Sequence, residues 1–269
     1  MTTQPNPTTP ARELVLSLRG ITKRFGAVAA LTDIDLDVHA GEVVALVGDN
    51  GAGKSTLVKI LSGVHQPTSG SMAFCGQPVT LADPGASLAL GIATVFQDLA
   101  LCENLDVVAN IFLGKELSPF HLNEVDMEVK AWQLLNELSA RIPSVRIPVA
   151  SLSGGQRQTV AIARSLLLSP KLILLDEPTA ALGVAQTAEV LDLIERVRDK
   201  GLGVVMISHN MEDVRAVADR IVVLRLGKNN GVFLPDASNH ELVGAITGAA
   251  DNSVSRRSTR RESLQPHIA

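Results

Sequence analysis

Apolar positions along the chain follow two periods that take turns. Residues 13–18 alternate one by one, and Ile34, Leu36 and Val38 alternate again before a turn at Ala40-Gly41, the pattern of half-buried strands. Residues 43–47 are instead an unbroken apolar run, as in a strand buried on both faces. A glycine-rich turn then opens a predicted helix over 54–61, which Gly63 and Pro67 stop. Residues 71–74 and 79–81 read as short edge strands and 92–95 as a further strand. Between about 98 and 165 the period becomes helical, with Val125, Val129, Trp132, Leu135 and Leu138 predicted to form one apolar face. Strands over 171–176, 203–208 and 220–224 then alternate with helices over 184–200, 211–218 and 239–247.

Repeated strand–helix units predict an α/β fold. Its mostly parallel sheet is flanked by helices, with an antiparallel β edge and an inserted α-helical subdomain at about 98–165. No repeat of 20–50 residues interrupts the order. The expected ordered unit is 13–250. Residues 1–12, rich in Thr and Pro, and 251–269, with Arg256, Arg257, Arg260 and Arg261 among Ser and Thr, are expected to be disordered.

Composition narrows the class. Aromatic residues are only 3% of the chain against 46% hydrophobic overall, which favours helices packed on a buried sheet over a sandwich or barrel. A formal charge of -4 argues against a general nucleic-acid binder. Cys75 and Cys102 are the only cysteines and lie outside any CxxC pattern, so reduced thiols are expected. The amino-terminal segment lacks the apolar stretch of a secretion signal, and no window reaches the roughly 18 apolar residues of a membrane span. Any membrane role is therefore expected through a partner.

The chemistry begins at Gly48-Asp49-Asn50-Gly51-Ala52-Gly53-Lys54-Ser55-Thr56, which fits G-x-x-x-x-G-K-[ST] between a predicted strand and a predicted helix. Glycines let backbone N–H groups close around phosphates, and the helix that follows aims its positive end at the same anion. Lys54 suits the phosphates, and the Ser55 hydroxyl suits Mg2+. Farther on, Leu172-Ile173-Leu174-Leu175 ends in Asp176 and Glu177. Acids leaving the carboxyl end of a buried strand stand where open α/β sheets bind ligands. Asp176 suits Mg2+ and Glu177 a base that polarises water, although an Asp-Glu pair alone fits a capping turn as well.

Ser151-Leu152-Ser153-Gly154-Gly155-Gln156 precedes a second helix, which Ser153 is placed to cap while Gly154 and Gly155 leave N–H groups uncovered. One chain thus carries two phosphate-binding helix starts. A head-to-tail dimer accounts for both, each nucleotide lying between one copy's 48–55 loop and the other's 153–156 segment.

With Leu152-Ser153-Gly154-Gly155-Gln156 intact about twenty residues before Asp176-Glu177, the chain resembles the ATP-binding cassette family over about 14–247. The resemblance implies a P-loop NTPase that hydrolyses ATP with Mg2+, and it implies roles for three further residues. Phe25 matches the aromatic that stacks on adenine. Gln97 matches the glutamine that joins Mg2+ and water to a transmembrane partner. His209 matches the histidine that contacts the γ-phosphate. Alone, Phe25 and His209 fit core or capping positions and Gln97 a surface amide.

Within the family, transport is the branch the chain resembles, because 98–151 is too short for the coiled-coil insertion of the repair branch and translation members usually carry two cassettes. An ATPase of another importer, a non-transport ATPase or a nucleotide-sensing module is the alternative. The segment from Ala100 to Gly114, Glu177-Pro178-Thr179-Ala180-Ala181-Leu182-Gly183, and Ala245-Ile246-Thr247-Gly248 look like bacterial importers of ribose, xylose and fructose. Gly183 stands where the family usually has Asp. The partners so implied are a second copy, transmembrane permease subunits met near 98–110, and indirectly an external sugar-binding protein, with no nucleic acid. The implied location is peripheral, on the cytoplasmic face of the bacterial inner membrane.

Overall fold

A computed structural model describes residues 12–118 and 123–248. The terminal segments expected to be disordered lie outside the described residues, except Arg12, whose guanidinium is 3.6 Å from Asp219.

Two sheets share the chain. β1 (Leu14–Phe25), β2 (Val28–His39), β4 (Ser69–Phe74) and β5 (Gln77–Val79) form an antiparallel sheet in the order β2-β1-β4-β5. β3 (Val43–Val47), β6 (Ile92–Val95), β7 (Leu172–Asp176), β8 (Gly203–Ile207), β9 (Arg220–Arg225) and β10 (Lys228–Phe233) form the second, in the order β10-β9-β3-β8-β7-β6. Its strands are parallel except β10, which turns back antiparallel on β9. The expected β edge is thus a separate four-stranded layer.

Strand geometry explains how one sheet serves two cores. Side chains alternate between faces. Val44 and Leu46 therefore join Leu172, Leu174, Val205, Ile207, Val222 and Leu224 on one face, where the antiparallel sheet and helix α1 (Lys54–Leu61) cover them. Val43, Ala45 and Val47 join Ile173, Leu175, Val204, Met206, Ile221 and Val223 on the other. There they meet α5 (Gly154–Leu166), α6 (Val184–Asp199), α7 (Met211–Val217) and α8 (Asn239–Thr247). Every residue of β3 and β8 is buried, as the continuous apolar runs require.

Two elements escaped the sequence reading. α2 (Pro84–Leu90) starts where Asp83 accepts a hydrogen bond from the Ala86 amide, with Pro at the first helical turn. β10 contains Asn229, Asn230 and Gly231, poor strand formers, and exists because β9 offers it an edge across the Leu226-Gly227 turn. The last edge strand lies at 77–79 instead of 79–81; Leu81 is buried outside any strand.

Residues 98–165 hold α3 (Val107–Phe112), α4 (Glu124–Glu137) and α5, joined by long loops. The apolar face expected on α4 is corrected. Met127, Ala131 and Leu135 are buried and Trp132 half-buried, but Val125 is 71% and Val129 50% exposed. Two overlapping stripes satisfied the helical period, and only contact with a neighbour selects one. Arg146 helps set the rotation, reaching Glu124 at 3.0 Å and Glu128 at 2.8 Å. Leu135→Ala is expected to cost about 2–5 kcal/mol in denaturant unfolding, as a truncated core leucine does. Val129→Ala should stay within about 0.5 kcal/mol.

Candidate functional site

The loop after β3 is shaped by close backbone approach. Gly48 has φ 152°, and a Cβ there would lie 2.2 Å from the Leu224 carbonyl oxygen at the end of β9. Gly53 has φ 103°, and a Cβ there would lie 2.5 Å from the Leu31 side chain and 2.9 Å from the Ala30 carbonyl of β2. Both positions exclude any larger residue, because neither backbone can yield. The loop is thereby clamped between the two sheets, with Gly227 donating to the Ala52 carbonyl at 3.1 Å and Leu57 opening the helical ladder onto Gly53.

No acidic side chain occupies the first turn of α1, and no side chain caps it. Its unpaired N–H groups face the loop with the positive end of the helix dipole. Lys54 folds back, donating to the Gly48 carbonyl at 2.7 Å and the Asp49 carbonyl at 3.1 Å, so its ammonium sits inside the curve of the loop. Asp49, Asn50, Gly51 and Ser55 are exposed, Thr56 is half-buried and Ala52 is buried. The concavity presents amides and one cation to solvent, an arrangement that fits an anion.

The acids stand beside it. Asp176 ends β7, and burial followed by the adjacent Glu177 charge raises its pKa, with Lys54 and Lys59 pulling the other way. The Lys54 ammonium is thus close enough for its charge to act on Asp176. Glu177 has φ 52°, a strained backbone for a residue with a Cβ, held by its amide donating to the Ile207 carbonyl at 3.0 Å. That turn aims its carboxylate at His209, whose Nδ1 lies 2.8 Å from Glu177 Oε2. The Glu177 side chain is 16% exposed and that of His209 76%, so the imidazole is the outer member of the pair. Behind them the Thr179 hydroxyl donates to Asp213 at 2.6 Å, a buried tie between this turn and α7 that the sequence reading did not single out.

The third group lies elsewhere. Ser153 caps α5 by accepting from the Gln156 amide at 3.2 Å, and the Gln156 side chain accepts from the Ser153 amide at 3.0 Å. The cap uses the amides of 153 and 156, not those of Gly154 and Gly155. Both glycines approach the start of α6: a Cβ on Gly154 would lie 2.8 Å from Leu182, just before that helix, and one on Gly155 3.1 Å from Gln186 within it. Gln156 also donates to the Arg141 carbonyl at 2.9 Å, tying the cap to the helical subdomain. None of these bonds joins the 48–55 loop.

Three expected residues stand apart. Phe25, at the corner between β1 and β2, is 45% exposed and belongs to neither core. Its ring meets His65 edge-on, an association absent from the sequence reading. Gln97 follows β6 in an exposed stretch and makes no side-chain hydrogen bond to the loop or Asp176 among the described residues. Gly183 heads α6 at φ -74°, and a Cβ there would meet nothing within 4 Å, so nothing local demands glycine. Among the described residues no cluster of three or more His, Cys, Asp or Glu side chains is placed to hold a metal by itself. No helix there is long and apolar enough to cross a membrane.

A strand–loop–helix anion cradle beside a sheet-end acid pair, with a second, serine-capped helix that opens on two glycines, defines a P-loop nucleotide-binding cassette. The ABC transporter family model matches residues 31–180. A xylose/arabinose import ATP-binding protein of Sulfolobus acidocaldarius is 48% identical over 215 residues, covering 80% of this chain and 86% of that protein. A fructose import ATP-binding protein of Rhizobium meliloti is 42% identical over 251 residues, covering 90% and 96%. A ribose import ATP-binding protein of Rubrobacter xylanophilus is 41% identical, and the match spans 47% of its length. Among solved structures, MJ1267, an ATP-binding cassette of an ABC transporter, superposes with a TM-score of 0.78 at 25% identity, over 86% of this chain and 98% of that one. The dimeric, post-hydrolysis structure of the cassette MJ0796 with ADP and Pi gives 0.70 at 26% identity, over 83% and 100%. The chain belongs to the ABC transporter family and is an ATP-binding subunit.

Gly48→Ala is expected to lower ATP affinity at least about tenfold in equilibrium titration, because the added methyl displaces the loop from Leu224. Affinity equal to the parent would show that the loop tolerates movement there.

Proposed function

We propose that this chain is the ATP-hydrolysing subunit of an importer for a monosaccharide, working as a pair of copies on the cytoplasmic face of a membrane beneath permease subunits. The single observation that carries the hydrolytic reading is the Glu177–His209 contact at the carboxyl end of β7, next to the loop that Lys54 occupies. The sugar class rests on the xylose/arabinose, fructose and ribose relatives.

The amides of 48–55 and the Lys54 ammonium bind the β- and γ-phosphates, and Phe25 offers its exposed ring to the base. Asp176 suits a magnesium ion held with the nucleotide. Its carboxylate is penalised by burial and by Glu177, so a cation there relieves both, and Mg2+ needs only one or two protein carboxylates. Ser55 and Gln97 would complete the protein's share of that ion. When bound, the ion neutralises charge on the phosphates. Glu177 accepts a proton from the attacking water, and His209, sharing Glu177 Oε2, holds the carboxylate and extends toward the γ-phosphate. The Gly154 and Gly155 amides, which the α5 cap does not use, bind the nucleotide of the second copy. ATP thus draws two chains together, and hydrolysis lets them part.

The segment after Gln97 is the proposed dock for the permease. Arg164 of α5 donates to the Leu99 and Ala100 carbonyls, at 2.5 and 2.7 Å, and Asn110 of α3 bonds both the amide and the carbonyl of Cys102. Its backbone is therefore held from two helices while Glu103 remains exposed.

Glu177→Gln should bind ATP, accumulate as dimer and lose at least about a hundredfold in turnover, measured as phosphate release. Turnover at the parent rate would remove Glu177 from the chemistry. Glu103→Lys in the assembled transporter should reduce sugar uptake several-fold; uptake at the parent level would move the dock elsewhere.

A further inference from the structure

We propose that His65 and Lys23 are positioning residues which hold the Phe25 ring at a set height above the phosphate loop, so that base and triphosphate are read by one rigid unit. The inference rests on the reading of Phe25 as the base platform and extends it to residues that make no contact with the nucleotide.

An aromatic side chain at a hairpin corner ordinarily has no reason to stay in place. Phe25 pairs across the turn with Val28, which is 65% exposed, and no core residue covers either. The ring is held from the side instead. His65 meets it edge-on, with centroids 5.2 Å apart and planes at 71°. This is the arrangement that aromatic quadrupoles favour. The Lys23 ammonium lies 5.0 Å from the ring centroid. Lys23 is itself tethered, donating to the Gln66 carbonyl at 2.7 Å, and the Arg24 amide donates to the Thr68 hydroxyl at 3.0 Å. Three consecutive residues of β1 are thus tied to residues 65–68.

Those residues are the exit of α1. The His65 amide donates to the Lys59 carbonyl at 2.9 Å, continuing the grip of the helix past its last turn. The helix that begins at Lys54 therefore ends by placing His65 against Phe25. An eight-residue helix is about 12 Å long and stiff, so the platform is registered against the phosphate cradle by a rod as well as by the hairpin itself. At the other end of that rod, Gly53 is pressed against Ala30 and Leu31 of β2, the strand leaving the same hairpin. The hairpin is fixed at both ends of α1.

The test compares ATP with inorganic tripolyphosphate, which presents phosphates without base or sugar, in equilibrium titrations of the full chain. His65→Ala should weaken ATP about threefold to tenfold, the loss of one edge-to-face contact, and leave tripolyphosphate affinity unchanged. His65→Phe, which restores an aromatic edge, should recover most of the ATP affinity. Equal weakening of both ligands would overturn the proposal, since it would mean that His65 merely supports α1. If Phe25→Ala weakens ATP while His65→Ala does not, the platform stands but His65 does not position it, and the proposal fails alone. If Phe25→Ala leaves ATP affinity unchanged, the base platform itself fails and this inference with it.

Discussion

The structure depends on one constraint, the burial of β3 on both faces. Its five residues are shared between two cores, which leaves no freedom to slide or rotate the strand without exposing apolar surface on one side. A shift of one residue would exchange the two sets of side chains. The strand therefore delivers Gly48 to one place, against the Leu224 carbonyl, and the loop that follows inherits that accuracy. β7, two places along in the same sheet order, is buried in the same way and delivers Asp176 and Glu177. The site is the edge where two doubly buried strands run out of apolar residues.

What the edge holds is charge that the protein alone satisfies poorly. Lys54 is bonded to carbonyls of its own loop, Asp176 has a raised pKa through burial and the neighbouring Glu177, and Glu177 sits on a strained backbone facing His209. Phosphates are better partners for the ammonium than carbonyls are. Binding thus draws on an arrangement already in place, and little of it has to be assembled when the nucleotide arrives.

The second helix start is built on different supports. α5 begins on the helical subdomain, where its cap is bonded to Arg141 and packed on Leu182 and Gln186. Its cap makes no hydrogen bond to the loop of the same chain, and the pairing of two copies proposed above is the arrangement that would give both helix starts one ligand.

Much of this was legible in order along the chain. The run Val43–Val47, the spacing of Gly48, Gly53, Lys54 and Ser55, the apolar run into Asp176-Glu177, and the Ser153 to Gln156 cap each encode their local structure within about ten residues, because backbone sterics and period-two or period-3.6 burial are local rules. By itself, then, the sequence determined the buried central strands, the anion loop, the acid pair and the second helix start. Tertiary structure alone decided which of two stripes on α4 is buried, that Asn229, Asn230 and Gly231 form a strand, that Glu177 points to His209, and that His65 braces Phe25. Each of these depends on a partner distant in the chain. A contact energy between residues 32 or 40 positions apart leaves no periodic trace in either segment, so only the packed molecule can choose it.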